Sequence, residues 1–479
     1  MTGLPLRRGE ALLLAGVVVA AAALRIATAD YGLWFDEFAS LAFARQPLGH
    51  LWSGWMVRET NPPLYYTLLK DWIAIVGEGD RAVRLSSILF GLVGIGAAAM
   101  LARRLGGPGA GVIAAALLAL SASHVDLSQE VRAYGLAQSM VLIAALGMVR
   151  YLERRRVGDL LLYGVAATIA LYCHTTLVLF VLLANLAMAW LLRRDRPAVL
   201  RWIGINALVG LAWAWWASIT LRQLVGGHGS IAWIERPDLA AGWRIIGRAY
   251  AFPVAPDGGV GTSLALTLLV GAILWLAWRD RRPAVTMLAV LALGAPVLLF
   301  AISQRVPILL PRTLSWAAGI ATVLLAVAIV RIRFRPVAAA LVGLLLVLEA
   351  ITLMRWLPIR QKESWQEAIT AVARSSPAPV LLVQGDAMAV AASHYGPALP
   401  VVVLSRDPGD GDRWADDMVP GLVHADGSGA RALLRGDRDL FTLTRADSDP
   451  APQLAAVAVA TPIAVQGDRQ PFVSRWRLR

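Results

Sequence analysis

Charge is scarce in this sequence. Only 16% of its 479 residues are charged, where a soluble domain carries about 25%. Cysteine is nearly absent. The single one, Cys173, excludes an internal disulfide, and its apolar setting Leu171-Tyr172-Cys173-His174-Thr175-Thr176 suits a buried, inert thiol. Lysine occurs only as Lys70 and Lys362, so nearly all the basic charge is arginine. There is no Walker loop, no GxGxxG after a strand and no zinc-type Cys/His spacing. Nothing therefore points to ATP-driven transport. Internal repeats and low-complexity tracts are missing as well.

What the chain has instead is apolar length. Hydrophobic residues make up 58% of it, and they fall in runs of about 20, enough to cross a bilayer. Eleven spans are expected, near 10–29, 82–102, 109–123, 131–150, 158–174, 175–192, 202–222, 262–279, 284–303, 312–330 and 336–356. Arginine clusters test that count. Arg7-Arg8, Arg103-Arg104, Arg154-Arg155-Arg156, Arg193-Arg194-Arg196, Arg279-Arg281-Arg282 and Arg331-Arg333-Arg335 all fall on one side if the spans number eleven. By the positive-inside rule that side is the cytoplasm. The net charge of +13 is thus a membrane signature, and no nucleic acid partner is expected. The N-terminus is expected inside, with the loop 30–81, the turn 122–130, the loop 223–261 and everything after about 357 outside. The first segment has an alternative as a cleaved signal peptide, since Ala27-Thr28-Ala29 fits a cleavage site. Arg25 in its apolar end argues for a retained helix.

Composition changes after residue 361. Short apolar runs at Val380–Val383 and Val401–Leu404 alternate with a helix-like stretch at Trp365–Ala373 and a Gly/Asp/Pro-rich loop at Asp407–Asp412. A transmembrane domain over 1–361 and an extracytoplasmic α/β domain over 362–479 follow.

Chemistry gathers at the outer ends. The loop 30–81 opens Trp34-Phe35-Asp36-Glu37. Aromatics suit a membrane interface, but two acids beside a bilayer are costly and tend to be functional. Neighbours in sequence do not share a helix face, so one carboxylate acts and the other supports it; a solvated acid pair is the alternative. The loop continues with Asn61-Pro62-Pro63-Leu64-Tyr65-Tyr66, a helix stop and restart or simply a structural turn. Ser128-Gln129-Glu130-Val131-Arg132-Ala133-Tyr134 lies where the fourth span begins. There Asp126 or Ser128 could cap the helix, and Glu130 and Tyr134, four apart, would share a face. A helix N-terminus with an arginine beside it suits an anion; a Glu130–Arg132 ion pair is the structural alternative. Arg84, Arg312 and His174 also sit at outer ends. Each could be an interfacial anchor, yet outer arginines run against the inside bias, and binding a lipid phosphate would account for them.

In this order these motifs resemble the GT-C class of membrane glycosyltransferases, near the bacterial proteins similar to protein O-mannosyltransferases and the lipid A aminoarabinose transferase. The matching stretches are WFDE at 34–37, NPPLYY at 61–66, RLSS at 84–87, SQEVRAY at 128–134 and LPRTLSW at 310–316. They cover the membrane part, and the tail from Glu363-Ser364-Trp365 resembles the soluble outer domain of many members. The resemblance implies a polyprenyl-phosphate sugar as donor and a glycan, lipid or protein as acceptor, at the outer face of a bacterial inner membrane among its lipids. It implies Asp36 as catalytic base with Glu37 beside it, and Arg132, Glu130, Arg312 and Arg84 around the donor phosphate. Asn61, Tyr65, Tyr134 and His174 would contact substrate. Two departures bear on the acceptor. Asn61 stands where members often have histidine, and Thr313 stands where tyrosine often follows the arginine. One base and one displacement would invert the anomeric centre. No obligatory metal or other cofactor is expected, since two adjacent acids are a thin ligand set; a divalent cation on Asp36 and Glu37 stays open. A flippase or transporter of lipid-linked sugars would instead place ionisable residues near span centres, where Glu349 is the main example. A non-catalytic scaffold would be indifferent to Asp36 and Arg132.

Overall fold

The structure, a computed structural model, describes residues 7–226, 234–250, 259–404, 419, 422–435, 437–445, 449–465 and 470–479. The expected loop 407–412 and much of the loop 223–261 lie outside them. The chain packs as two compact units. One comprises Met1–Ala29, Trp52–Leu68 and Arg81–Pro358; the other comprises Asp30–Leu51, Leu69–Asp80 and Ile359–Arg479. A single cut at 361/362 was expected. Instead, two stretches of the loop 30–81 pack with the tail; in the first of them Leu33, Phe38 and Leu41 are buried.

The first unit is helical. In chain order its helices are α1 (Arg8–Ala27), α4 (Asp80–Gly106), α5 (Pro108–Leu120), α6 (Ala122–Gln129), α7 (Tyr134–Arg154), α8 (Val157–Leu171), α9 (Val178–Leu192), α10 (Arg196–Gly226), α11 (Leu239–Tyr250), α12 (Val260–Arg279), α13 (Pro283–Ser303), α14 (Ser315–Val330) and α15 (Arg335–Trp356). Between α1 and α4 come α2 (Phe35–Arg45) and α3 (Leu64–Val76). Among the described residues, nine helical segments are long and apolar enough to cross a membrane, and α5 with α6 make a tenth if that bent pair is one span. The expected span at 158–174 is the shorter α8. The chain is a polytopic helical membrane protein.

The turn expected at 122–130 is a correction. The chain bends by 65° after Leu120 and continues as α6. Ser121 causes this: its ψ of 116° leaves the helix, and its hydroxyl accepts the His124 N–H at 3.3 Å, the geometry of an N-cap. Asp126 and Ser128 therefore lie inside α6 rather than capping a helix. Glu130 is the C-cap of α6 and Tyr134 the first residue of α7, so they do not share one helix face.

Ion pairs gather helix ends on one side of this unit. Arg103 pairs with Glu10 at 2.6 Å, Arg104 with Glu153, Arg155 with Asp195 at 2.9 Å, and Asp280 with both Arg282 and Arg331 at 2.5 and 3.0 Å. Arg282 also donates to the Leu105 carbonyl at 2.7 Å. Their arginines come from four of the six clusters that the eleven-span count put on one side. α7 has 21 residues, about 30 Å of helix, and runs from this end to the opposite one, where Tyr134 stands.

Small residues let α4 approach α6 and α7 closely, as membrane helices often do. A Cβ on Gly91 would sit 2.4 Å from the Ser128 Cβ, whereas one on Gly96, in the same helix, would meet nothing within 4 Å. Gly91→Ala is expected to destabilise by about 1–3 kcal/mol through overpacking. Gly96→Ala should be neutral or gain about 0.5–1 kcal/mol from helix propensity. Unfolding of both variants in detergent checks this.

The second unit carries α16 (Trp365–Ser375), α17 (Asp386–Tyr395), α18 (Gly427–Leu433) and strands β1 (Pro379–Gln384), β2 (Val401–Leu404), β3 (Val423–Ala425), β4 (Asp439–Thr444), β5 (Ala458–Ile463) and β6 (Phe472–Leu478). The sheet order is β3-β2-β1-β4-β6-β5. The first four strands are parallel, and β6 and β5 are antiparallel additions. β1 is buried on both faces, so it reads Val380-Leu381-Leu382-Val383 without alternation. α2 packs on α17 in this unit: the Phe38 ring lies 5.9, 5.5 and 5.6 Å from those of Trp365, His394 and Tyr395.

Candidate active site

A small, open cleft lies at the Tyr134 end of the first unit, lined by Asn61, Pro62, Tyr65, Tyr66, Arg132, Ala133, Tyr134, Cys173 and His174. Three chain breaks deliver these residues. Pro62 and Pro63 stop one segment and start α3, which presents Tyr65 and Tyr66 in its first turn. The gap between α6 and α7 carries Arg132. The connection between α8 and α9 carries Cys173 and His174.

Hydrogen bonds hold the walls. Glu59 Oε1 accepts both the backbone N–H and the side-chain amide of Asn61 at 2.9 Å. Tyr65 and Ser87 share a hydroxyl bond of 2.8 Å. Thr175 donates to the Thr60 carbonyl at 2.6 Å and accepts from Trp216 Nε1 at 3.2 Å, which joins the third wall to the first. The Arg132 N–H donates to the Glu130 carbonyl at 2.7 Å.

Electrostatics make the cleft a place for an anion. The Arg312 guanidinium lies 5.9 Å from the ring centroid of Tyr134, and the His174 ring 5.8 Å from it. His174 Nδ1 accepts from the Thr176 N–H at 3.3 Å and faces the Thr176 hydroxyl at 2.9 Å, so Nε2 carries the proton. Burial, with Arg132 and Arg312 nearby, lowers the His174 pKa to about 3. The ring is therefore neutral at physiological pH and offers a hydrogen bond without a third charge. Burial raises the Tyr66 hydroxyl well above its usual range; Glu59 adds to this and Arg132 opposes it. Burial also pushes the Cys173 thiol up, as an unreactive cysteine requires. Ala133 is the N-cap of α7, so the positive end of that helix faces the same region as the two guanidiniums.

Of the residues singled out from sequence, Asn61, Tyr65, Arg132, Tyr134 and His174 are brought together in the cleft, with Arg312 against Tyr134. Glu130 is buried behind it. Arg84 is buried in α4 and is not among the lining residues. Asp36 and Glu37 lie in the second unit, in the first turn of α2. Glu37 is fully buried and its carboxylate accepts the Trp34 N–H at 3.1 Å, so it caps its own helix. Asp36 is half-buried. Among the described residues no group of three or more His, Cys, Asp or Glu could hold a metal ion.

Tyr66, Glu59 and Arg25 were not foreseen here. Arg25 is fully buried in α1. It donates to the carbonyls of Ala119 and Leu118 at 3.0 and 3.3 Å and to Ser128 Oγ at 2.9 Å, and it meets His124 Nδ1 at 2.8 Å. Those two carbonyls lose their helical partners at the Ser121 bend, and Arg25 replaces them. Gln129 returns the contact, donating to the Arg25 carbonyl at 2.7 Å and to Thr28 at 2.8 Å. A charge inside an apolar span is the signal that could have found it. Arg25→Met strands buried acceptors at about 1–3 kcal/mol each. It should lower the unfolding temperature in detergent and weaken binding at Arg132, three residues beyond Gln129. Arg25→Lys should recover part of both.

Sequence and fold comparisons bear on the family and the fold. Residues 60–216 match the family model described as dolichyl-phosphate-mannose-protein mannosyltransferase; these residues include all nine that line the cleft. A search of the curated proteins finds no match. The fold is that of the GT-C class of membrane glycosyltransferases. ArnT from Cupriavidus metallidurans aligns in its apo state with a TM-score of 0.60 at 15% identity, covering 98% of both chains. The same protein bound to undecaprenyl phosphate gives 0.62 at 14% identity, again over 98% of both. The oligosaccharyltransferase AglB from Archaeoglobus fulgidus, with an inhibitory peptide and a dolichol-phosphate, gives 0.51 at 14% identity over 86% of this chain and 64% of that one.

Proposed function

We propose that this protein is a membrane glycosyltransferase that moves a sugar from a polyprenyl-phosphate donor to a glycan, lipid or protein on the outer face of the plasma membrane. The observation that carries this is the cleft: Arg132 and His174 are in its wall and Arg312 stands over Tyr134, in a fold shared with a protein solved with undecaprenyl phosphate. A sugar leaving a phosphate transfers negative charge to the leaving oxygen, and fixed guanidiniums stabilise that charge. Asp36 takes the proton of the attacking hydroxyl, and a single displacement inverts the anomeric centre. Asn61, Tyr65 and Tyr134 orient the donor. The 1–361 part carries the reaction, with its N-terminus in the cytoplasm and the tail outside.

A transporter is less well served. Arg25, a second charge inside a span, is tied to backbone carbonyls and one helix bend, and so is accounted for structurally. The test uses membranes containing the protein, native acceptors and a panel of radiolabelled polyprenyl-phosphate sugars. Loss of label from one carrier, with its appearance in an acceptor, is expected. Correctly inserted protein that consumes no donor overturns the proposal.

A further inference from the structure

The second unit holds the helix that carries Asp36 through its first residues. The Phe35 N–H, one of the open donors at the start of α2, gives its hydrogen bond to Glu363 Oε2 at 2.8 Å. Glu363 is buried, and its carboxylate is itself fixed from two sides. Trp365 Nε1 donates to Oε2 at 2.6 Å and Arg445 pairs with Oε1 at 3.3 Å. Arg445 also lies over the Phe35 ring at 4.1 Å, and the Lys362 ammonium over the Trp34 ring at 4.3 Å. The Leu33 N–H donates to the Tyr395 hydroxyl at 2.8 Å, which donates to Asp80 at 2.7 Å. Residues 33, 34, 35 and 38 are thus each held by the tail, and Asp36 lies among them. Arg445 directly follows β4, at the carboxyl end of a parallel strand beside β1.

From these contacts we infer that Glu363 is a positioning residue for Asp36, acting through the N-terminal turn of α2. The tail domain would then fix the orientation of the helix that carries the base. This rests on Asp36 being the base. A half-buried carboxylate on a short helix gains its direction from that helix, and a displacement of about 1 Å in a reacting group can cost about 100-fold in rate. The donor phosphate is assigned to a different unit, so its binding should be insensitive to Glu363.

The test compares the full-length wild type with Glu363→Ala, Glu363→Gln, Asp36→Asn and Asp36→Asn/Glu363→Ala. It uses the radiolabelled undecaprenyl-phosphate sugar that the wild type consumes. Glu363→Ala should lower kcat by about tenfold or more with KM for the donor within about twofold, the mark of an interaction felt only in the transition state. Glu363→Gln, whose amide oxygen can still accept the Phe35 N–H, should recover most of that loss. The double variant should be no slower than Asp36→Asn, since Glu363 acts only through Asp36. If Glu363→Ala does not fold, Glu363→Gln and Tyr395→Phe are read for the same split between kcat and KM. Wild-type kcat in the Glu363 variants, with Asp36→Asn inactive, overturns the inference and leaves the base in place. So does a double variant in which the two losses multiply. Full activity in Asp36→Asn overturns the base itself.

Discussion

Arg132→Gln is expected to lower turnover of the lipid-linked donor by about 10²–10³, the range seen when one fixed donor to a developing anion is removed. The size follows from where Arg132 sits. It lines a cleft with three tyrosines, an asparagine and a neutral histidine, so few other groups can take over its charge. A guanidinium can also grip phosphate through two parallel hydrogen bonds, which an ammonium cannot. Arg132→Lys should therefore recover charge without geometry and fall between the wild type and Arg132→Gln. Arg312→Gln should lose less, because Arg312 stands over the Tyr134 ring rather than among the lining residues. Steady-state kinetics with a labelled donor check the order. Equal activity in Arg132→Gln and the wild type would remove Arg132 from the donor site.

Asp36→Asn is expected to reduce kcat by about 10²–10⁴, the usual contribution of a general base, with binding of the donor preserved. Asparagine keeps the size and removes the basicity. Glu37 cannot substitute, because it is fully buried and its carboxylate is engaged by the Trp34 N–H. Glu37→Gln is expected to act differently from Asp36→Asn. An amide oxygen can still accept that N–H, so Glu37→Gln should retain most activity, while Glu37→Ala removes the cap and should destabilise the helix by about 1 kcal/mol. Activity in Asp36→Asn matching the wild type would sink the assignment of the base. A large loss in Glu37→Gln would show that the pair works jointly.

How much was legible in the sequence varied with the range of the force involved. Transmembrane helices were, because a run of apolar residues announces itself locally. The singling out of Arg132 and Arg312 rested on a compositional bias, since both lie at span ends away from the arginine clusters, and the structure puts Arg132 in the cleft wall and Arg312 against Tyr134. The bend at Ser121 was not: the apolar run continues through it, and a serine in a span is unremarkable until its hydroxyl is seen on the His124 N–H. Glu59 looked like any loop acid, and only its two bonds to Asn61 give it a place in the cleft wall. The grouping of residues 30–51 with the tail was hidden for a plainer reason. The bond from Phe35 to Glu363 spans 328 positions, and neither residue type signals the other at that distance.

The bond set around Arg25 has a consequence for biosynthesis. α1 leaves the ribosome long before the bent segment does. Until that segment arrives, the guanidinium has no carbonyls to serve, and a charge in an apolar helix is unfavourable in lipid. When the bend is made, Leu118 and Ala119 expose two carbonyls that lipid cannot satisfy. Each is a defect alone, and each cures the other on contact. The first helix therefore takes part in folding the bent segment that precedes Arg132. Cutting the chain after Ala29 would leave the bend open at the very point from which Arg132 is suspended.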